Sequence, residues 1–549
     1  MQRLTITLLT LFFAAFIARA GDIHVSPYGN DSNDGSQKKP LLSIHQALRQ
    51  AREWRRLARL SEKIEAKQAQ DSIRGGVHII LHDGYYYMNE PLFVRPEDSG
   101  TEASPTIISS AKRENAILCG DPSATHIQLY PSKGMARIID FDKESRTITV
   151  SAEAVGEAKA LLDSINHSHF SAHSRPFSLE MVVHQRWAIA ILRIKDIQLH
   201  GSRAVVSFQE PESRLEFEHP WPQPVIGGEK GNSSFLIRKT EKRNGIERLV
   251  VVNGTEKEPV CHVNFNNLRF ENTCWNRPLH YGHVTLQGGF PVIDAYKLPK
   301  EGLPWAPSLE NQAWIERPVA AVSVAWARNI SFQNCHFSHL ASTALDFHIG
   351  ISDCLISDNR FDSIGGTAIL AGSFAESPRE VHRPYTDLAE LCQRLTISSN
   401  QIESASCEDW GAVGIGCGYV RDVTIANNEV SRVNYSGICV GWGWTSCDTG
   451  MRNNRITGNI VTDFARQLYD AGGIYTLSNQ PNSIIEGNLI DRLGAAPYAT
   501  NDRGFYIYLD AETDGYTIRN NQFPEKRIGD NHPGPNIVWG KNRILRSQP

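Results

Sequence analysis

The chain has 549 residues, with 56 Lys plus Arg against 60 Asp plus Glu, a net charge of −4. The lack of a basic excess argues against nucleic acid as the main partner, and 41% apolar with 9% aromatic residues argues against a disordered chain. Length alone suggests three or four domains of about 150 residues, but the 42 Gly, 27 Pro and frequent Asn point to many turns, and a repeat changes that count.

Residues 1–20 read as a secretory signal peptide. Arg3 supplies a positive start, Leu4 to Ala18 an apolar run, and Ala18-Arg19-Ala20 a small-x-small cleavage site. The run is short for a membrane span, and Gly21 rather than Cys follows it. The expectation is therefore a secreted or periplasmic protein with no membrane span after cleavage, of 529 residues with 54 basic against 60 acidic residues.

Residues 21–118 are expected to form an N-terminal cap and the first coils of a solenoid. Ser43 to Leu60 is predicted to be a helix, with Ser43 as N-cap. Such a helix would cover the open apolar end that a solenoid otherwise exposes. Val77-His-Ile-Ile-Leu81 and Thr106-Ile-Ile-Ser109 read as the first coil strands. Residues 119–262 keep strand-like runs such as Thr147-Ile-Thr-Val150 and Leu249-Val-Val-Val252 but lose the repeat that follows, so they are read as a β-rich insert. Residues 285–318, rich in Gly, Pro and Trp, read as a functional loop.

From 263 to 549 an apolar-alternating stretch ends again and again in Asn-x-apolar. Examples are Ile330-Ser-Phe-Gln-Asn334-Cys-His-Phe337, Leu395-Thr-Ile-Ser-Ser-Asn400-Gln-Ile402 and Ile484-Ile-Glu-Gly-Asn488-Leu-Ile490. The Asn residues at 334, 359, 400, 428, 459, 488, 521 and 542 are 21 to 41 residues apart, the spacing of stacked units. Strand periodicity within each unit predicts an all-β fold, a right-handed parallel β-helix with one coil per unit. The Asn is expected both to adopt the left-handed turn conformation and to hydrogen-bond to its counterpart one coil away. The ten Cys include no CxxC pair, which argues against a zinc ribbon or thioredoxin site.

Aligned on these Asn, Asp409, Asn434, Asp470 and Asp502 form one column at the start of a strand. Coil spacing sets Asp470 and Asp502 about 5 Å apart, and Asp409 and Asp470 about 10 Å apart, separations that glycoside hydrolysis uses. A second column holds His348, Cys417 and Asp510, with His348 a candidate substrate-binding residue. Tyr435, Trp442, Trp444 and Tyr475 are candidate sugar-stacking residues. Trp442 and Trp444 share the face of Ile438 and Val440 by alternation, so core packing is the competing reading. Lysine is absent from Glu301 to Glu525, which favours carboxylate chemistry over elimination, though Arg421, Arg452 and Arg466 remain as cations.

Asp470-Ala-Gly-Gly-Ile-Tyr-Thr-Leu-Ser-Asn-Gln-Pro481 followed by Tyr508-Leu-Asp510 resembles segments of glycoside hydrolase family 141 and neighbouring pectate-lyase-like β-helix proteins. Ser436-Gly-Ile-Cys-Val-Gly-Trp442 and Val25-Ser-Pro-Tyr-Gly-Asn-Asp-Ser32 are similar too. The resemblance implies a glycosidase of the α-L-fucosidase or xylanase kind, acting on an oligo- or polysaccharide, with catalytic acids at Asp470 and Asp510. Relatives often carry Glu where this chain has Ala511. No metal ligands and no cofactor are expected, Ca²⁺ entering only if the protein is a polysaccharide lyase. A non-catalytic carbohydrate-binding β-helix is the third reading, and a monomer is expected in each case. Asp470 and Asp510 are offset by seven positions along the strand, up to about 23 Å if extended. They converge only if Gly472-Gly473 bends the chain; otherwise Asp409 or Asp502 is the partner.

Overall fold

The computed structural model describes residues 21–60, 67, 70–111, 115–121, 129–130, 135–167, 177–218, 222–241, 244–294, 314–374, 379–380, 388–496 and 503–545. The segment read as a signal peptide, and Asp502, lie outside these residues.

Three long parallel sheets run side by side through the described residues, with 13, 10 and 11 strands. Each coil contributes one short strand to each sheet, the stacking of a right-handed parallel β-helix. Inward positions repeat the same kind of side chain from coil to coil. In the third sheet Phe270, Phe337 and Phe361 stack with ring centroids 4.8 and 4.7 Å apart, and Ile402, Val430, Val461 and Ile490 continue the core. The spacing matches that of hydrogen-bonded strands, so one apolar residue per coil builds a continuous column.

The Asn repeat forms a ladder at the corner between the first and third sheets. Asn359, Asn400, Asn428, Asn459, Asn488, Asn521 and Asn542 are joined by Nδ2–H donating to the next Oδ1 at 2.9–3.0 Å. The same Oδ1 atoms accept from backbone N–H groups of the preceding coil. Two expectations change. The position equivalent to Asn359 in the preceding coil is Cys335, whose N–H donates to Asn359 Oδ1, so Asn334 is one residue out of register. The left-handed residue is the one before the ladder position, Asn334 before Cys335 and Asp358, Ser399, Asn427, Gly458, Gly487 and Asn520 before the Asn residues from 359 to 521, with φ between 54° and 70°. Turn and ladder are thus carried by adjacent residues of the same corner.

The helix spans Ile44–Ala58, and Ser43 Oγ accepts from the Gln46 N–H. Its Ile44, Ala47, Leu48 and Ala51 are buried in the solenoid core, closing the apolar end. The insert supplies eight strands of a nine-stranded antiparallel sheet, completed by His283–Val284 from the following loop, with helices Ala152–His167 and Glu212–Glu218. Its far boundary differs from the sequence reading. Val250–Asn253 pairs in parallel with Leu92 to Val94 and with Val322 to Ala325, and Val260–Asn266 pairs with Thr106 to Ser109. Residues 250–262 are therefore coils of the β-helix, since Val250 and Val252 alternate into its core. In the 285–318 loop, residues 295–313 lie outside the described set.

The insert docks on the outer face of the second sheet. A separate apolar cluster joins insert residues such as Leu192 and Phe235 to Trp442, Tyr475 and Tyr508. A buried ion cluster pins the contact, with Arg238 bound to Glu180 at 2.8 Å and to Glu408 at 3.0 Å. None of the ten cysteines forms a disulfide, and Cys335 and Cys354 are buried.

Candidate active site

The site lies on the outward face of the second sheet, where strands Ala471–Thr476 and Gly504–Leu509 lie side by side. Outward-pointing Tyr475 and Tyr508 are register partners. Their rings meet edge to face, with centroids 5.1 Å apart. The Tyr508 hydroxyl donates to Asp470 Oδ1 at 2.9 Å, and the Tyr475 hydroxyl donates to Asp510 Oδ2. Asp470 precedes its strand and Asp510 follows the next one, so the crossed tyrosines tie together carboxylates at opposite strand ends.

The chain bends at Gly472. A Cβ there would sit 2.8 Å from the carbonyl oxygen of Ile474, two residues on, and 3.0 Å from Tyr508 Cβ. In an extended strand those atoms are far apart, so the backbone doubles back where no side chain fits. Asp470 itself is left-handed, with φ 61°. The bend expected at Gly472-Gly473 is therefore present, and the charge of Asp510 bears on Asp470.

Gln287 closes the site from the loop beyond the insert. Its Nε2 donates to the Tyr435 and Tyr475 hydroxyls, both at 3.0 Å, and the Tyr435 hydroxyl donates to the Asp470 carbonyl at 3.0 Å. Asn531 Nδ2 donates to Asp510 Oδ1 at 2.7 Å. Arg503 stands 3.6 Å from Asp470 Oδ1. Burial, then the charge of Asp510, pushes the Asp470 carboxyl up to about 6, against the opposing pull of Arg503 and Tyr508. A carboxyl that retains its proton near neutrality can act as a general acid.

Among the described residues, Asp409 and His348 lie away from this acid pair. Asp409 is two coils before Asp470 and buried, with Oδ2 2.9 Å from His283 Nε2. The register makes Gly411 and Asn434, not Asp409, equivalent to Asp470. His348 does share the column of Asp510, but five coils away, about 24 Å. Cys417 is one position out of that column and faces the core. Trp442 packs with Phe290 and Phe374, and Trp444 against Trp442, at 3% and 7% exposure, which leaves little ring face for a sugar. They do not share the face of Ile438 and Val440, because Gly441 and Gly443 at φ 110° and 101° break the alternation. Tyr435 and Tyr475 are buried and act through their hydroxyls. Arg421, Arg452 and Arg466 are each paired with a nearby Asp.

Sequence reading passed over Gln287, Arg503 and Asn531. Only Arg503 had a local signal, one residue beyond the aligned Asp502. Gln287 is 148 residues from Tyr435 along the chain, and nothing short-range links them. Among the described residues, no group of three or more His, Cys, Asp or Glu is arranged to hold a metal ion.

Residues 122–243 match the family 141 glycoside hydrolase insertion domain, and residues 389–532 match the right-handed β-helix region. A solved structure titled as a glycoside hydrolase is 34% identical, with 95% of this chain and 96% of that chain covered and a TM-score of 0.85. More distant are a complex of XylC with xylose, at 11% identity, 93% and 69% coverage and a TM-score of 0.45, and a GH136 lacto-N-biosidase from Eubacterium ramulus, at 11% identity, 95% and 67% coverage and a TM-score of 0.41. No curated protein matches the chain. A close relative along nearly the whole length, the matched insertion domain and the β-helix that carries it together establish that the chain belongs to glycoside hydrolase family 141.

Proposed function

We propose that the protein is an exported hydrolase that cleaves a fucoside- or xylan-type bond in a plant or algal polysaccharide by carboxylate acid/base catalysis. Asp470 donates a proton to the departing glycosidic oxygen. Asp510, held by Tyr475 and Asn531, acts on the opposite side as base or nucleophile. The observation that carries this reading is the crossed Tyr475–Tyr508 pair, which links two acids whose environments differ. Arg503 and the Tyr508 hydroxyl stabilise Asp470 once it has lost its proton. No cofactor enters this scheme, and the protein is taken to act as a monomer.

The test is a screen of the purified protein on fucosylated, xylan and pectic glycans with mass analysis of products. Hydrolysis gives a product one water heavier than elimination does. Ultraviolet-absorbing unsaturated products that depend on Ca²⁺ would instead establish a lyase, with Arg503 as the nearest cation. Turnover that survives EDTA supports the cofactor-free scheme. Export predicts a mature protein whose first residue on N-terminal sequencing is Gly21.

A further inference from the structure

A cavity of about 280 Å³ opens between the insert-side loop and the β-helix, at the same end of the second sheet as Asp470. Its floor is formed by the starts of three successive coils, at Ser342 and Thr343, Gly366 and Thr367, and Ala412. Two further coils lead to Asp470, a distance of about 10 Å at the strand spacing. Gly288 and Gly289 form part of its wall. The residue before them, Gln287, binds the tyrosines of the acid pair, so one short loop borders both places.

Three buried polar atoms on residues lining this cavity have no hydrogen-bond partner among the described residues: Arg277 Nε, His283 Nδ1 and Thr343 Oγ1. His283 and Thr343 are 2% and 1% exposed. Unmet buried donors and acceptors of this kind each cost free energy unless something supplies their hydrogen bonds. Several charged groups around them are already paired: Arg277 with Glu316 at 2.7 Å, Asp409 with His283 at 2.9 Å, and Arg317 with Asp346. A partner rich in hydroxyl groups would supply the missing hydrogen bonds without breaking these pairs. Trp275 lies in the wall, and Tyr281 stands at 58% exposure, giving aromatic surface on which a pyranose ring stacks. The volume is at the lower edge of ligand pockets, about 300–1,000 Å³, and suits one sugar ring rather than a polymer segment.

We propose that this cavity is a second carbohydrate subsite, which takes one sugar unit of the glycan whose scissile bond lies at Asp470. The inference rests on the hydrolase reading above. Occupation of the cavity makes recognition extend two coils beyond the acid pair, so that the enzyme prefers an oligosaccharide to a single glycoside.

The test is calorimetric titration of the intact protein carrying Asp470→Asn, to prevent turnover, with xylan-derived, pectic and fucosylated oligosaccharides. The expected result is binding of at least one oligosaccharide, weakened about tenfold by Tyr281→Ala and about tenfold by Thr343→Val, the loss of one stacked ring or one hydrogen bond. Thr343→Val keeps the side-chain shape and carries the test if Tyr281→Ala fails to fold. Equal binding with and without these substitutions, or no binding of any oligosaccharide, overturns the subsite and leaves a water-filled cavity. An oligosaccharide that binds through Tyr281 and Thr343 but is not cleaved by the wild-type protein leaves the subsite standing and removes the hydrolase reading instead.

Discussion

Asp470 combines a left-handed backbone with a buried carboxyl and a nearby second acid, and the burial and the second acid both hold its proton more tightly. With the carboxyl pushed up to about 6, the proton donor is present below that pH and lost above it. The expected kcat/KM therefore falls about tenfold per unit on the alkaline side of pH 6. Tyr508→Phe removes a hydrogen bond that favours the carboxylate, so it should move that limb to higher pH while lowering kcat. A pH–rate profile of both proteins checks the direction, and a limb that moves down instead would remove Tyr508 from this role. Asp470→Asn and Asp510→Asn should each abolish turnover with the fold intact. The folded state also binds the Asp470 proton more tightly than the unfolded chain does. The stability from that proton is full below the ordinary value of 3.8 and is lost as pH rises through about 6. Thermal melts of Asp470→Asn should lack this part of the pH dependence.

At the scale of the coil, the Asn ladder and the glycine bend do different work. Asn459 donates to Asn488 Oδ1 and to the Ile425 carbonyl, and accepts from the backbone and side-chain amides of Asn428. Asn459→Ala empties four buried hydrogen bonds at once, and a destabilisation of about 3 kcal/mol is expected from urea unfolding. Gly472→Ala should behave in the opposite way. Its new Cβ meets Tyr508 Cβ at 3.0 Å and the Ile474 carbonyl oxygen at 2.8 Å, so the tyrosine that holds Asp470 must shift. Activity should fall further than stability, which assays of both on the same sample will separate. The coil pattern was readable in sequence because each coil repeats the same apolar and amide positions. The bend was not, since a Gly-Gly pair gives no sign of which way the chain turns.

For the whole molecule, the insert is the element that turns an exposed sheet face into an enclosed site. Arg238 ties insert residue Glu180 to Glu408 of the β-helix, and it is almost fully buried. Arg238→Ala leaves the buried Glu180 carboxylate without its ion partner, a change that typically costs about 3–5 kcal/mol. If the insert positions the loop that bears Gln287, the same substitution should lower kcat in the folded protein. Circular dichroism alongside kinetics distinguishes that from simple unfolding. Insert and β-helix were separable in sequence by where the Asn period stops. The far boundary was not, because Val250 to Asn253 carries strand alternation without the Asn that marks later coils.

The sequence by itself determined the β-helix, its capping helix and the presence of an insert, because these depend on short-range periodicity that neighbouring coils repeat. It also singled out Asp470 and Asp510 through a resemblance in local motifs. Only the tertiary structure decided which acids are joined. Column arithmetic treats strands as straight, and it kept Asp409 and Asp502 as alternatives to Asp510. The bend at Gly472 and the reach of two tyrosine side chains link Asp470 to Asp510, while Asp409 is held by His283 two coils away. Gln287, His283 and Arg503 reach their partners through folding of the chain, from positions whose spacing along it carries no regular period.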